Sequence, residues 1–181
     1  MTEVGPEEQS RSEGTTSAAV LDPEFRRIFL EHFAFVCRSL QRLGVREADV
    51  EDVSQELFLA ALRAFGEWDR SRPIKPWLFG FAFRFAANYR RLGWHRGRTL
   101  EDSPVSPKVH DKLAAKITVS RALETLDDDK RAVLVMHDLE GMSAPEIGEA
   151  LGIPLNTVYS RVRLARDAFR SAVKSTEEVA R

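Results

Sequence analysis

Several features that would settle this chain's chemistry at once are scarce or missing. Its 181 residues hold a single cysteine, Cys37, so no internal disulfide can form and a reducing compartment is expected. The histidines, His32, His95, His110 and His137, are dispersed. No spacing joins any of them to Cys37 as a ligand set, and neither a metal nor a cofactor is expected. No Gly-rich phosphate loop and no Ser/His/Asp order marks a nucleotide-binding or acyl-transfer enzyme. No apolar run reaches the length of a membrane span, because Arg84 interrupts the longest candidate. The N-terminus lacks a basic segment followed by an apolar core, so no secretion signal is read and a cytoplasmic protein is expected. Net charge is nearly absent too, at −1.

That small net charge hides segregation. Residues 45–69 carry Glu47, Asp49, Glu51, Asp52, Glu56, Glu67 and Asp69 against Arg46 and Arg63. Residues 70–98, RSRPIKPWLFGFAFRFAANYRRLGWHRGR, hold eight Arg or Lys, no Asp or Glu, and seven Trp, Phe or Tyr. Residues 152–174 set Arg161, Arg163, Arg166, Arg170 and Lys174 against Asp167 alone. Alternating blocks of this kind suggest partners of opposite sign on separate surfaces. Cations neutralise phosphates and flat rings give unstacked bases a platform, so the middle block suggests an opened nucleic-acid strand. A helix apolar on all sides is equally what a core element looks like.

Helical periodicity dominates the chain. Residues 1–22 have few large apolar groups and are expected to be a disordered tail. Phe25, Ile28, Phe29, Phe33, Val36, Cys37, Leu40 and Leu43 then make one stripe that Gly44 stops, with Cys37 as a small core residue. A second helix is read from about Ala48 to Phe65, striped by Val50, Val53, Leu57, Ala60 or Ala61, and Ala64. Asp52, Gln55, Glu56 and Leu59 fall largely off that stripe, either as a solubilising face or as a docking face. After Pro73 and Pro76 a third helix is expected from Trp77. Trp77, Phe81, Phe85 and Tyr89 lie on one ridge and Phe79 and Phe83 on another, which argues for exposure of part of this helix. Residues 93–112 keep no period and read as a flexible linker, long enough for two modules to touch separate DNA sites.

The last segment reads as a helix-turn-helix. A helix from about Asp111 ends near Leu126, and Asp127 caps the next one, which Gly141 closes. Ser143-Ala-Pro-Glu146 is a capping box, Gly152-Ile153-Pro154 makes the turn, and Val158, Val162 and Ala165 face inward from the following helix. Asn156, Thr157, Tyr159, Ser160, Arg161, Arg163 and Arg166 are then available to a major groove.

These motifs resemble the extracytoplasmic-function (ECF) sigma factors, the small initiation subunits of bacterial RNA polymerase. DVEDVSQELFLAALRAF (49–65) resembles their polymerase-docking helix, KPWLFGFAFRFAANYRR (75–91) the segment that opens the promoter, and residues 123–169 the promoter-reading domain. The resemblance implies an all-α fold of two small helical domains, an N-terminal bundle and a C-terminal four-helix domain with the helix-turn-helix. The expected boundaries are 1–22 tail, 23–92 region 2, 93–112 linker, 113–174 region 4 and 175–181 tail. It implies no catalytic residue and no membrane insertion. Core RNA polymerase and promoter DNA are the implied partners, and an anti-sigma factor commonly holds family members inactive. Asp52, Gln55, Glu56 and Phe58 would dock on the polymerase. Trp77, Arg84, Asn88, Tyr89 and Arg91 would hold the melted strand. Asn156, Thr157, Tyr159, Ser160, Arg161, Arg163 and Arg166 would meet the distal duplex. The chain has Asn156, Tyr159 and Leu164 where the family usually has Gly, a basic residue and often Arg. Arg84 and Asn88 stand where Asn and Asp are common. The family's base code therefore does not transfer. A stand-alone duplex-binding regulator and a helical adaptor are the other readings of the same residues.

Overall fold

Proline opens the first helix and glycine ends its connection. A computed structural model describes residues 22–95 and 111–179, with side chains over 22–93 and 117–175. Helix α1 (Pro23–Arg42) begins with Pro23, whose missing N–H would be unpaired in the first turn anyway, and the Asp22 carboxylate accepts from the Glu24 amide at 2.8 Å. Of the expected tail, only Asp22 lies within the described residues. The chain turns away at Gly44, whose φ of 95° is a conformation that side chains with a Cβ rarely adopt. The acidic stretch starts as a 3₁₀ turn (Glu47–Asp49) and continues as α2 (Val50–Arg63), shorter at both ends than the 48–65 expected.

Helix α3 (Ile74–His95) is longer than expected at both ends. Pro76 sits inside its first turn, where the lost N–H interrupts no helical bond, so the helix begins before Trp77 and not at it. It also runs past the expected limit at 92 and carries Gly93 within it. Both ring ridges are covered: Phe79 and Phe81 are buried, and Trp77, Phe83, Phe85 and Tyr89 are half-buried. Part of this helix is exposed, as the two ridges argued, but none of these six rings is among its exposed residues. Two sides of α3 find cover because α1 and α2 pack on it from one direction and α6 from another. What it exposes is a polar ridge, Arg84, Asn88 and Arg91, together with Lys75 near its start and Leu92 next to Arg91.

The C-terminal module consists of four α-helices. After α4 (Asp111–Glu124), the Asp127 carboxylate accepts from the Lys130 amide at 2.9 Å and starts α5 (Asp128–Leu134). A π-helical turn (Val135–Leu139) closes this stretch ahead of Gly141. The capping box forms as read: Ser143 and Glu146 bond each other's backbone amides at the start of α6 (Ala144–Leu151). Gly152, left-handed with φ 66°, turns the chain into α7 (Leu155–Val179), which includes most of the expected tail. The expected linker is helix at both ends, and 96–110 lie outside the described residues.

The two modules do not stand apart. Buried residues of both form one continuous apolar cluster, and α6 rests on α3.

Candidate functional site

Helix α2 presents the first surface. Its inward stripe of Val50, Leu57 and Ala61 leaves Asp52, Gln55 and Glu56 exposed on the opposite side. Phe58 is not part of that face. It keeps 4% of its surface and meets Phe25, Phe29 and Phe33 ring to ring, at centroid distances of 6.4, 4.8 and 6.2 Å. One residue on, Leu59 is 55% exposed beside Gln55 and Glu56. The apolar member of the face is thus Leu59, which helical spacing had already placed off the buried stripe. A one-residue step turns a helical side chain by about 100°, enough to exchange core for solvent.

The second surface lies on α3. Trp77 packs against Trp68 and Phe81, at 6.3 and 4.9 Å between ring centroids, and serves the module's ring cluster. The Arg84 guanidinium sits 4.6 Å over Phe81, and Arg91 donates to the Asn88 side-chain oxygen at 2.9 Å. Tyr89 is engaged by its neighbours: its hydroxyl donates to the Asp49 carboxylate and accepts from Arg46 Nε at 2.8 Å. Burial first, and the bond to Asp49 second, push the Tyr89 phenol above its ordinary pKa. Arg84, Asn88 and Arg91 are therefore accessible as the chain is folded, whereas Trp77 and Tyr89 are held.

The third surface is the start of α7. Val158, Val162 and Ala165 are buried, so Asn156, Tyr159, Ser160 and Arg163 stand outward, with Tyr159 57% exposed. Leu155 and Leu164, which sequence reasoning did not include, are exposed beside them. Thr157 is half-buried, and its carbonyl accepts from the Ser160 hydroxyl at 3.0 Å. Two of the expected cations are tied within the module. Arg161 pairs with Asp129 at 2.9 Å, and Arg166 grips Asp138 through Nε and a terminal nitrogen at 2.8 and 2.6 Å. That grip, more than the added bond from His137, holds the Asp138 carboxyl below the usual range. Arg163 is the freest, with only a 3.9 Å pairing to Asp167. An exposed polar helix start with cations on its flank can present donors and acceptors to base edges while charges meet phosphates.

Comparison with known proteins finds two family matches in the chain. The family described as Sigma-70 region 2 matches residues 28–96, and that described as Sigma-70, region 4 matches residues 117–169. The ECF RNA polymerase sigma factor SigE of Mycolicibacterium smegmatis is 30% identical, covering 88% of this chain and 68% of its own. RNA polymerase sigma factor CnrH of Cupriavidus metallidurans is 26% identical, covering 97% of this chain and 100% of its own. The structure of CnrH in complex with the cytosolic domain of CnrY superposes with a TM-score of 0.64 over 83% of this chain and 88% of that one. The sigma factor RpoE of Bartonella quintana, bound to the anti-sigma factor NepR, shares the fold with a TM-score of 0.69 at 21% identity, over 83% of this chain and 97% of that one. With both sigma regions in order, the chain belongs to the ECF family of RNA polymerase sigma factors.

Proposed function

We propose that this alternative sigma factor divides promoter recognition among its three surfaces. Asp52, Gln55, Glu56 and Leu59 dock on core RNA polymerase. Arg84, Asn88 and Arg91, joined by Trp77 and Tyr89 when these are released, hold the melted strand. Asn156, Tyr159, Ser160 and Arg163 meet the distal duplex, with Thr157, Arg161 and Arg166 supporting the helix that carries them. The modules are residues 23–95 and 111–179. The observation that carries this reading is the coexistence of an exposed acidic face on α2 and an exposed polar and basic face on α7, at opposite ends of one chain. Electrostatic attraction then steers each face to a different partner. No group of this chain takes part in bond making, the chemistry belongs to the polymerase, and the protein acts in the cytoplasm. An anti-sigma partner, as seen with RpoE, completes the proposal.

The test is run-off transcription with core polymerase on genomic fragments, together with Asp52→Lys/Glu56→Lys. The double variant should keep its helical content and lose core binding. Unchanged affinity for core enzyme overturns the docking assignment.

A further inference from the structure

The two flanks of the exposed ridge on α3 differ. On one, about 80° round the helix from Asn88, lies Gly80. A Cβ placed there would come 3.0 Å from the Ala150 carbonyl oxygen, so α6 meets this flank backbone to backbone. On the other flank Leu92, Phe85 and Tyr89 follow at roughly 40°, 60° and 100° from Asn88. Leu92 is 46% exposed, and the Phe85 and Tyr89 rings are half-buried. They make an apolar shelf beside Arg84, Asn88 and Arg91.

At the far edge of the shelf stands Arg46, from the connection between α1 and α2. It is one of two cations in the acidic block, lies 43 residues before Tyr89, and is exposed. Its Nε is 2.8 Å from the Tyr89 hydroxyl and 2.9 Å from Asp49 Oδ2, and Nη2 is 2.5 Å from the same oxygen. The Tyr89 hydroxyl donates to that carboxylate in turn. The remaining nitrogen, Nη1, makes no hydrogen bond among the described residues. An exposed ion pair three residues apart contributes little to stability, so a purely structural purpose for this cluster is weak. A guanidinium fixed through two nitrogens with the third open is instead preorganised to take an anion.

We infer that Arg46 is a strand-binding residue of this sigma factor, whose guanidinium takes a phosphate of the opened DNA at the edge of the shelf opposite Arg84 and Arg91. Bases then lie over Phe85 and Leu92, with cations on both margins. Asp49 is the positioning residue, because it holds Nε and Nη2 whether or not Tyr89 is released. Its charge also repels the phosphate. Asparagine keeps an acceptor oxygen and loses that charge, so it separates the two effects. The inference rests on the reading of α3 as the strand-holding helix and adds to it a residue from outside the basic block.

The experiment uses the full chain with saturating core polymerase and a fluorescent single-stranded oligonucleotide pool, titrated over a range of salt. Arg46→Gln should weaken strand binding roughly tenfold, as loss of a charge-assisted bond does. It should also lower the slope of log affinity against log salt by about 0.7, the value of one single-strand phosphate. Arg46→Lys should restore the slope, because counterion release depends on charge. Asp49→Asn should bind the strand more tightly than wild type. A cluster that merely ties the 3₁₀ turn to α3 predicts something else: Arg46→Gln and Asp49→Asn break the same tie and act alike. That result overturns the inference, and so does an unchanged salt slope in Arg46→Gln. The ridge variant Arg84→Gln/Arg91→Gln separates the two levels. If it lowers the slope and Arg46→Gln does not, only the assignment of Arg46 falls. If neither does, the strand-holding reading of α3 falls with it.

Discussion

Helices α3 and α7 are both rich in arginine, yet they relate to the protein interior in different ways. In α3 the apolar residues surround the axis and neighbours cover much of it, so what reaches solvent is the Arg84, Asn88 and Arg91 ridge, with Lys75 near the start and Leu92 beside Arg91. In α7 the apolar positions Val158, Val162 and Ala165 make a narrow stripe, and the rest of its first turns is exposed. A residue on the outer face of α7 can change with little effect on the fold. On α3 most changes alter stability and binding together. Under the proposed division of roles, contacts to the duplex can be altered without disturbing the fold, while contacts to the melted strand are constrained by packing.

This comparison is sharpened most by paired substitutions. The largest effect expected is for Phe79→Ala, at 0% exposure in α3, and for Phe58→Ala in α2. Each should lose about 3–5 kcal/mol of stability, measured by denaturant unfolding. Leu59→Ala, one residue from Phe58, should leave stability within about 0.5 kcal/mol and weaken core binding instead. Equal destabilisation by Phe58→Ala and Leu59→Ala would erase the distinction between core and face. Next in size, Arg163→Ala should weaken duplex binding on all sequences and lower the slope of log affinity against log salt by about one, with the melting temperature unchanged. An unchanged salt slope would take Arg163 off the phosphates. Tyr159→Ala should then alter the preference among duplex sequences by about 1–3 kcal/mol per base pair read, again without loss of fold. A uniform loss across sequences would mean that Tyr159 reads no base.

The smallest effect is a pH dependence of the N-terminal module. His32 is buried, and desolvation lowers its pKa, with Glu31 opposing and Lys75 reinforcing the shift. The unfolded chain therefore binds a proton before the folded one does. Stability is complete above the ordinary value of 6.5 and falls as pH drops toward the lowered folded value. His32→Leu should flatten the wild-type decline in melting temperature between about pH 7 and 5. An identical decline in the variant would assign it to other groups.

Much of this architecture could be read from the residues, and the exceptions share a cause. Local signals had local outcomes: Asp127 caps α5, Ser143 and Glu146 form their box, and Gly44, Gly141 and Gly152 take positive φ where the chain turns. The exposed Asp52, Gln55 and Glu56 followed from period alone. Phe58 was misplaced because a family resemblance names a segment, whereas the helical angle decides which member of it faces out. Pro76 was taken as a breaker because its tolerance depends on which turn of the helix it occupies. Arg161 and Arg166 looked free because Asp129 and Asp138, their partners, lie 32 and 28 residues earlier in the sequence.

Sequence alone determined the helical class, the helix-turn-helix and the segregation of charge, since these arise from contacts within a few residues or from composition, and the order of the two sigma regions was legible only through the resemblance of their motifs to a known family. Tertiary structure decided which rings of α3 are covered, which arginines are already paired, and that α6 closes onto Gly80. Those outcomes depend on surfaces far apart in the chain meeting in space. Neither the period of a helix nor its charge specifies the neighbour that will cover it.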